Sequence, residues 1–195
     1  MTSDETSEMG LRERKRIETA KRIEAASIRL FLAKGIDGTT IDEIAVAAGI
    51  SRRTFFHYFK SKDDIMLAMQ SGLGEILATA LLEEPTDKPP FEAMRDAILG
   101  SVALYPAEEM LALDRLMRSS ESVQARKQAS YIEHERTLFA ALTQRWPDPH
   151  RATELRLIAM IAIGAVRLAL ETFGREEGQR SLAAVLTESF AVLGR

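Results

Sequence analysis

Residues 40–62 read TIDEIAVAAGISRRTFFHYFKSK, and the fold of the whole chain follows from that stretch. Ile41, Ile44, Ala45 and Ala48 recur at i, i+3, i+4 and i+7, which makes one apolar stripe on a helix. Thr40 and Glu43 form a T-x-x-E capping box that fixes where this helix starts. Gly49 suits the positive φ that ends a helix and turns the chain, and Ser51 suits the cap of a second helix. Two short helices joined by Ala48-Gly49-Ile50 have the layout of a helix-turn-helix.

The second helix divides by face. Phe55 and Phe59, four residues apart, pack inward with Ile50, while Arg52, Arg53, Phe56 and His57 point the other way. Guanidinium groups match guanine N7 and O6, and apolar surface matches thymine methyls, so residues 51–59 read as a major-groove recognition helix. The competing reading is a three-helix lobe whose arginines are only solvated.

The flanking sequence favours the groove reading, because it resembles the TetR family of transcriptional regulators over about residues 20–65. The resemblance rests on Ile23, Ala26, Leu30, Phe31 and Gly35, then Thr39-Thr40-Ile41, Ile44-Ala45, Ala48-Gly49-Ile50-Ser51, Thr54, His57-Tyr58-Phe59 and Ser61-Lys62. Two departures stand out. Arg53 occupies a position where that family usually has a small residue, which suggests an added base contact. Phe56 replaces a frequent Tyr and loses a phosphate hydrogen bond. The C-terminal stretches L-x-R-L-M-R-S-S and Y-I-E-H-E-R also resemble mycofactocin-type members of the family.

Composition narrows the class. The chain has 195 residues, 46% of them hydrophobic, enough for one or two helical units with real cores. It has no cysteine, so disulfides and thiolate metal sites are excluded; with His57, His134 and His150 far apart, no metal or other cofactor is expected. Net charge is −3, yet residues 10–62 carry 12 Lys+Arg against 6 Asp+Glu, and residues 63–195 carry 14 against 20. A local positive field attracts phosphates whatever the overall charge. The acidic start MTSDETSEMG is unlike a signal peptide, and no apolar run approaches the ~20 residues that cross a bilayer, so a cytoplasmic protein with no membrane partner is expected.

The expected fold is all-α with about nine helices: a disordered tail over 1–10, a three-helix DNA-binding domain over 11–62, and a C-terminal effector-binding and dimerisation domain over 63–195. Helices are expected at about 11–34, around the two of the motif, and at 61–84, 91–104, 107–118, 122–145, 149–174 and 178–193. The loop EEPTDKPP at 83–90 holds three prolines. Arg12, Arg14, Lys15 and Arg16 in the first helix are either solvated or lie along DNA phosphates or reach a minor groove.

DNA contacts are expected from Arg52 and Arg53 at base edges, Phe56 at a thymine methyl or sugar, and His57 and Thr54 at base or phosphate. Thr40, Ser51, Tyr58 and Lys62 are expected at phosphates. The helix at 149–174 is apolar nearly all round, and 178–193 is apolar beyond the needs of one core. The pair therefore reads either as a homodimer interface or as the central helices of a monomer.

An unidentified small-molecule effector is assigned to the C-terminal helices, with Met66, Met94, Tyr105, Met110, Leu113, Met117, Tyr131, His134, Met160 and Arg167 as candidate lining. Most methionines at helical spacing simply fill space. Arg167 lies in an apolar helix and is expected to be buried with a partner: either Glu171, four residues on, or the carboxylate or phosphate of an acyl-type ligand.

The functional expectation is a homodimeric repressor on a palindromic DNA operator, released by a lipophilic or amphipathic effector. The alternative is an activator or architectural regulator without an effector. Nothing in the sequence supports an enzyme: there is no G-x-S-x-G, no Gly-rich phosphate loop and no cysteine nucleophile.

Overall fold

The computed structural model describes residues 3–103 and 106–193. Its described residues form nine α-helices and one 3-10 turn, with no strand. They fall into two units, 1–66 and 67–195.

The first unit holds α1 (Ser3–Lys34), α2 (Ile41–Ala47), α3 (Arg52–Tyr58) and the start of α4 (Lys62–Glu83). Its core is Ile23, Ala26 and Phe31 from α1, Ile44, Ala45 and Ala48 at α2, Phe55 and Phe59 at α3, and Ile65 with Met66 from α4. Leu30, Ile41 and Ile50, expected inside with them, are only half-buried. Helix α1 begins at Ser3, so most of the stretch read as a disordered tail is helical.

The second unit holds the rest of α4, then α5 (Pro90–Ala103), α6 (Ala107–Ser119), α7 (Glu121–Arg145), the 3-10 turn Pro149–Arg151, α8 (Ala152–Arg175) and α9 (Leu182–Leu193). Helix α8 is central: it packs against α5, α6, α7 and α9. It buries Leu155, Ile158, Ala159, Ala162, Ile163, Ala165, Val166, Ala169 and Phe173. Asp148 caps the turn before α8, with its side chain accepting from the His150 amide and Pro149 following it. Helix α9 starts four residues later than its apolar pattern suggests. Gly178 takes φ +74 to end the preceding turn, and Ser181 Oγ accepts from the Ala184 amide as the cap.

Two contacts in this unit act through α4. Arg145, at the end of α7, donates to the carbonyls of Leu81 (2.9 Å), Leu82 (3.2 Å), Glu84 (2.6 Å) and Pro85, and its guanidinium stacks over Trp146 at 4.9 Å. The last carbonyls of a helix have no partner within it, so one guanidinium here closes the C-terminus of α4. Midway along α4, His134 of α7 lies so close that a Cβ on Gly74 would sit 3.0 Å from its Nδ1 and 3.2 Å from its Cα.

One expectation from the sequence needs correction. Lys62–Glu83 and Pro149–Arg175 are both long and apolar enough, by length and composition alone, to cross a bilayer. A fold that buries half of the second window inside itself accounts for that hydrophobicity without a membrane.

Candidate nucleic-acid interface

Helix α2 starts at Thr40, whose Oγ1 accepts from the Glu43 amide at 3.2 Å while the Glu43 carboxylate accepts from the Thr40 amide at 2.8 Å. Lys34 also donates to that carboxylate. The Lys34 ammonium and the Thr40 hydrogen bonds together hold Glu43 at a pKa of about 2. Ala48 closes α2, and Gly49 turns the chain at φ +66, where a side chain would be strained. Ser51 then caps α3, its Oγ accepting from the Thr54 amide at 3.0 Å and lying 2.8 Å from the Thr54 hydroxyl.

Helix α3 sorts its residues as the spacing requires. Phe55 is fully buried and Phe59 nearly so, with ring centroids 6.2 Å apart. Arg52, Arg53, Phe56 and His57 are exposed, and Thr54 and Tyr58 are half-buried. The exposed Phe56 ring, one turn on from Arg52, offers apolar surface of the kind that meets thymine methyls in a major groove.

The two arginines differ. Arg52 Nη1 donates to Asp42 Oδ2 of α2 at 2.8 Å, and its guanidinium lies 5.6 Å from the Phe56 ring centroid. Arg53 has no hydrogen bond, ion pair or ring contact among the described residues. Asp42 carries no functional signal in the sequence. Its partner lies ten residues away on another helix, a separation that no spacing rule within one helix captures.

Lys62 also differs from its expected place at a phosphate. Its ammonium donates to the carbonyls of Ile36 (2.6 Å) and Thr39 (2.9 Å), so two of its three protons fasten the loop between α1 and α2. Beside the C-terminal end of α3, Arg16, Ile17, Ala20, Glu24, His57, Tyr58 and Phe59 line a cleft of about 460 Å³. Burial raises the Glu24 carboxyl above its ordinary value, opposed by Lys21.

The effector candidates scatter. Met66, Met94, Tyr131 and His134 are buried, and Met110, Leu113 and Met117 are half-buried. Tyr105 lies outside the described residues. Met160 is 45% exposed and so faces out of its unit. Arg167 is exposed as well, not buried, with its guanidinium 5.9 Å from the Tyr131 ring centroid. The reason is helical register: Met160 and Arg167 are seven residues apart and share the outer face of α8. A shallow, open hollow in this unit lies elsewhere, between Phe139 of α7 and Ala152, Thr153, Arg156 and Leu157 of α8. None of the ten candidates lines it. Among the described residues no three His, Asp or Glu side chains group as metal ligands.

Comparison with known proteins agrees with this geometry. Residues 23–69 match the family model described as bacterial regulatory proteins, tetR family, and residues 88–195 match the MftR C-terminal domain. The HTH-type transcriptional regulator TcmR of Streptomyces glaucescens is 38% identical over 96 residues, covering 48% of this chain and 42% of TcmR. The chain thus matches less than half the length of that relative. The transcriptional regulator FadR of Bacillus subtilis, solved in complex with stearoyl-CoA, superposes with a TM-score of 0.60 at 17% identity, over 89% of this chain and 96% of that one. Thermus thermophilus FadR, a TetR-family repressor in complex with lauroyl-CoA, gives 0.54 at 24% identity, over 89% and 92%. At these identities the two structures show a shared fold.

Proposed function

The chain belongs to the tetR family of bacterial regulatory proteins, whose members are transcriptional regulators rather than enzymes, and from that premise we propose that it is a homodimeric repressor of a palindromic operator. The observation that carries the proposal is the sorting of α3: Phe55 and Phe59 inward, with Arg52, Arg53, Phe56 and His57 outward on one seven-residue helix. Arg52 and Arg53 read base edges, Phe56 meets a thymine methyl or sugar, and Thr54, His57 and Tyr58 contact base or backbone. Thr40 and Ser51 present hydroxyls to phosphates at the two helix starts.

The dimer reading rests on the outer face of α8. Leu157 (51% exposed), Met160 (45%) and Leu168 (56%) follow one another along it, and Val192 of α9 is 69% exposed. Apolar side chains gathered along one face of a helix mark a surface that another protein covers. A second copy presents the same face, and two copies place two recognition helices in successive major grooves, ~34–36 Å apart. The effector is proposed to be a lipophilic or amphipathic molecule held by the second unit near Met94, Met110, Leu113, Met117, Tyr131 and His134. It acts only through its different affinity for the DNA-competent and released states.

Selection of duplexes from a random pool by the purified chain tests the reading. The expected product is a near-palindrome, bound by a species of twice 21.7 kDa in light scattering. Arg53→Ala should cost ~1–3 kcal/mol on that duplex and relax one base position. A chain that enriches no sequence, or one that stays monomeric while enriching one, would overturn the operator reading or the dimer reading respectively. Release of the selected duplex by acyl-type compounds separates an effector-controlled repressor from a regulator without one.

A further inference from the structure

We infer that Asp42, a residue of α2 outside the recognition helix, is a specificity-determining positioning residue: it presets the Arg52 guanidinium for one base and leaves Arg53 adaptable. The inference rests on the reading of α3 as a groove reader and deepens it. The observation is a three-part arrangement in which Arg52 Nη1 donates to Asp42 Oδ2 at 2.8 Å while the Phe56 ring centroid lies 5.6 Å from the same guanidinium carbon. One contact comes from across the helix-turn-helix and the other from one turn along α3, so the head group is restrained from two directions.

An arginine has five N–H donors in a rigid fork. Asp42 uses one of them, and the remaining edges can still make the paired hydrogen bonds to guanine N7 and O6. The restraint means that less side-chain freedom is lost when the base is engaged, and that a fork held at one angle tolerates a misplaced acceptor poorly. The neighbouring arginine has no such restraint. Side-chain exposures of 58% for Arg52 and 63% for Asp42 keep the pair within reach of a groove.

The local charges fit this role. The first turn of α2 carries two acids, and each has its own cation: Glu43 with Lys34, and Asp42 with Arg52. A bare carboxylate beside a phosphate backbone repels it, and the pairing turns that liability into orientation.

The test uses full-length protein and duplexes that the wild type selects from a random pool. Arg52→Ala identifies the base that Arg52 reads as the position whose preference it loses. Asp42→Asn should then lower the preference at that same base about 1.5- to fivefold, the range to which the coupling of an exposed ion pair corresponds. Preference at the base assigned by Arg53→Ala should stay unchanged. Affinity for random duplex should rise, because one negative charge is gone. Asp42→Glu should restore part of the preference, and Asp42→Asn added to Arg52→Ala should cost nothing more.

If Asp42→Asn strengthens selected and random duplexes by the same factor, the carboxylate acts only as bulk charge and the inference is overturned. It is overturned equally if the effect of Asp42→Asn persists undiminished in the Arg52→Ala background. If Arg52→Ala itself leaves every base preference intact, the groove reading of α3 fails, a result the Asp42 variants alone would not give. A thermal melt of each variant accompanies the binding data, so loss of fold is separated from loss of preference.

Discussion

Replacing Lys62 by Ala separates two roles that the sequence alone cannot tell apart. Read from its position after the recognition helix, the ammonium belongs on a phosphate. Losing it would then reduce the salt slope of binding by about one, since each neutralised phosphate contributes ≈ 0.9 to that slope. In the structure the ammonium instead donates to the carbonyls of Ile36 and Thr39, the latter in a residue that is 1% exposed. Hydrogen bonds from a charged group contribute about 1.5–3 kcal/mol each when well shielded. Lys62 is half-buried, so water screens part of this and the two together are worth about 2 kcal/mol. For a chain of this length that corresponds to a fall in melting temperature of about 4–8 °C. The expected result is therefore a lower melting temperature by calorimetry, with an unchanged log–log salt slope for a selected duplex measured well below the new melting point. A slope smaller by about one, with the melting temperature unmoved, would contradict the anchoring role and return Lys62 to the phosphates.

Two further outcomes concern the second unit. Arg145→Met keeps an unbranched apolar stem but loses the guanidinium stack on Trp146 and strips the carbonyls of Leu81, Leu82, Glu84 and Pro85 of their donor, and should cost about 2–4 kcal/mol in denaturant unfolding. A loss below about 0.5 kcal/mol would show that water closes that helix end equally well. For His134, burial pushes the imidazole below its ordinary value of 6.5, opposed by the Gln70 carbonyl, so the folded state resists a proton that the unfolded state accepts. Its contribution is fully present above pH 6.5 and is lost as pH falls from there through the lower folded value. His134→Gln should flatten that part of the stability–pH curve, and an unchanged curve would remove His134 as its source.

The reader was legible in sequence because everything that builds it is local. The T-x-x-E pair, the glycine at positive φ, the Ser51 cap and the Phe55–Phe59 spacing act within four residues, where helical geometry alone decides who meets whom. What stayed hidden is the partner that a charge finds across the fold. Lys62 meets carbonyls 23 and 26 residues away, Arg145 reaches back 60 to 64 residues, and Asp42 holds an arginine on another helix. No periodicity encodes those meetings. The outward placement of Met160 stayed hidden for a related reason: a methionine pattern records that a face is apolar, not whether the face turns inward, as at Met94, or outward, as at Met160.

Helix α8 shows how one misjudged face changes a functional assignment. Its hydropathy is high all round, which makes Arg167 read as a cation sunk in a core and in need of a partner, either Glu171 or an acidic ligand. The buried side is Leu155, Ala159, Ala162, Val166, Ala169 and Phe173, while Leu157, Met160, Arg167 and Leu168 form the other side. A helix apolar on both sides is explained by two coverings, one from its own unit and one from outside. On a two-fold axis near Gly164, antiparallel copies of α8 would set Met160 against Leu168, because the two residues lie equally far from residue 164. In the homodimer proposed above Gly164 would let the two backbones approach closely there, since it places no side chain between them. Arg167 would then belong to that shared face; exposed and near the Tyr131 ring of its own chain, it needs no ligand carboxylate to account for it.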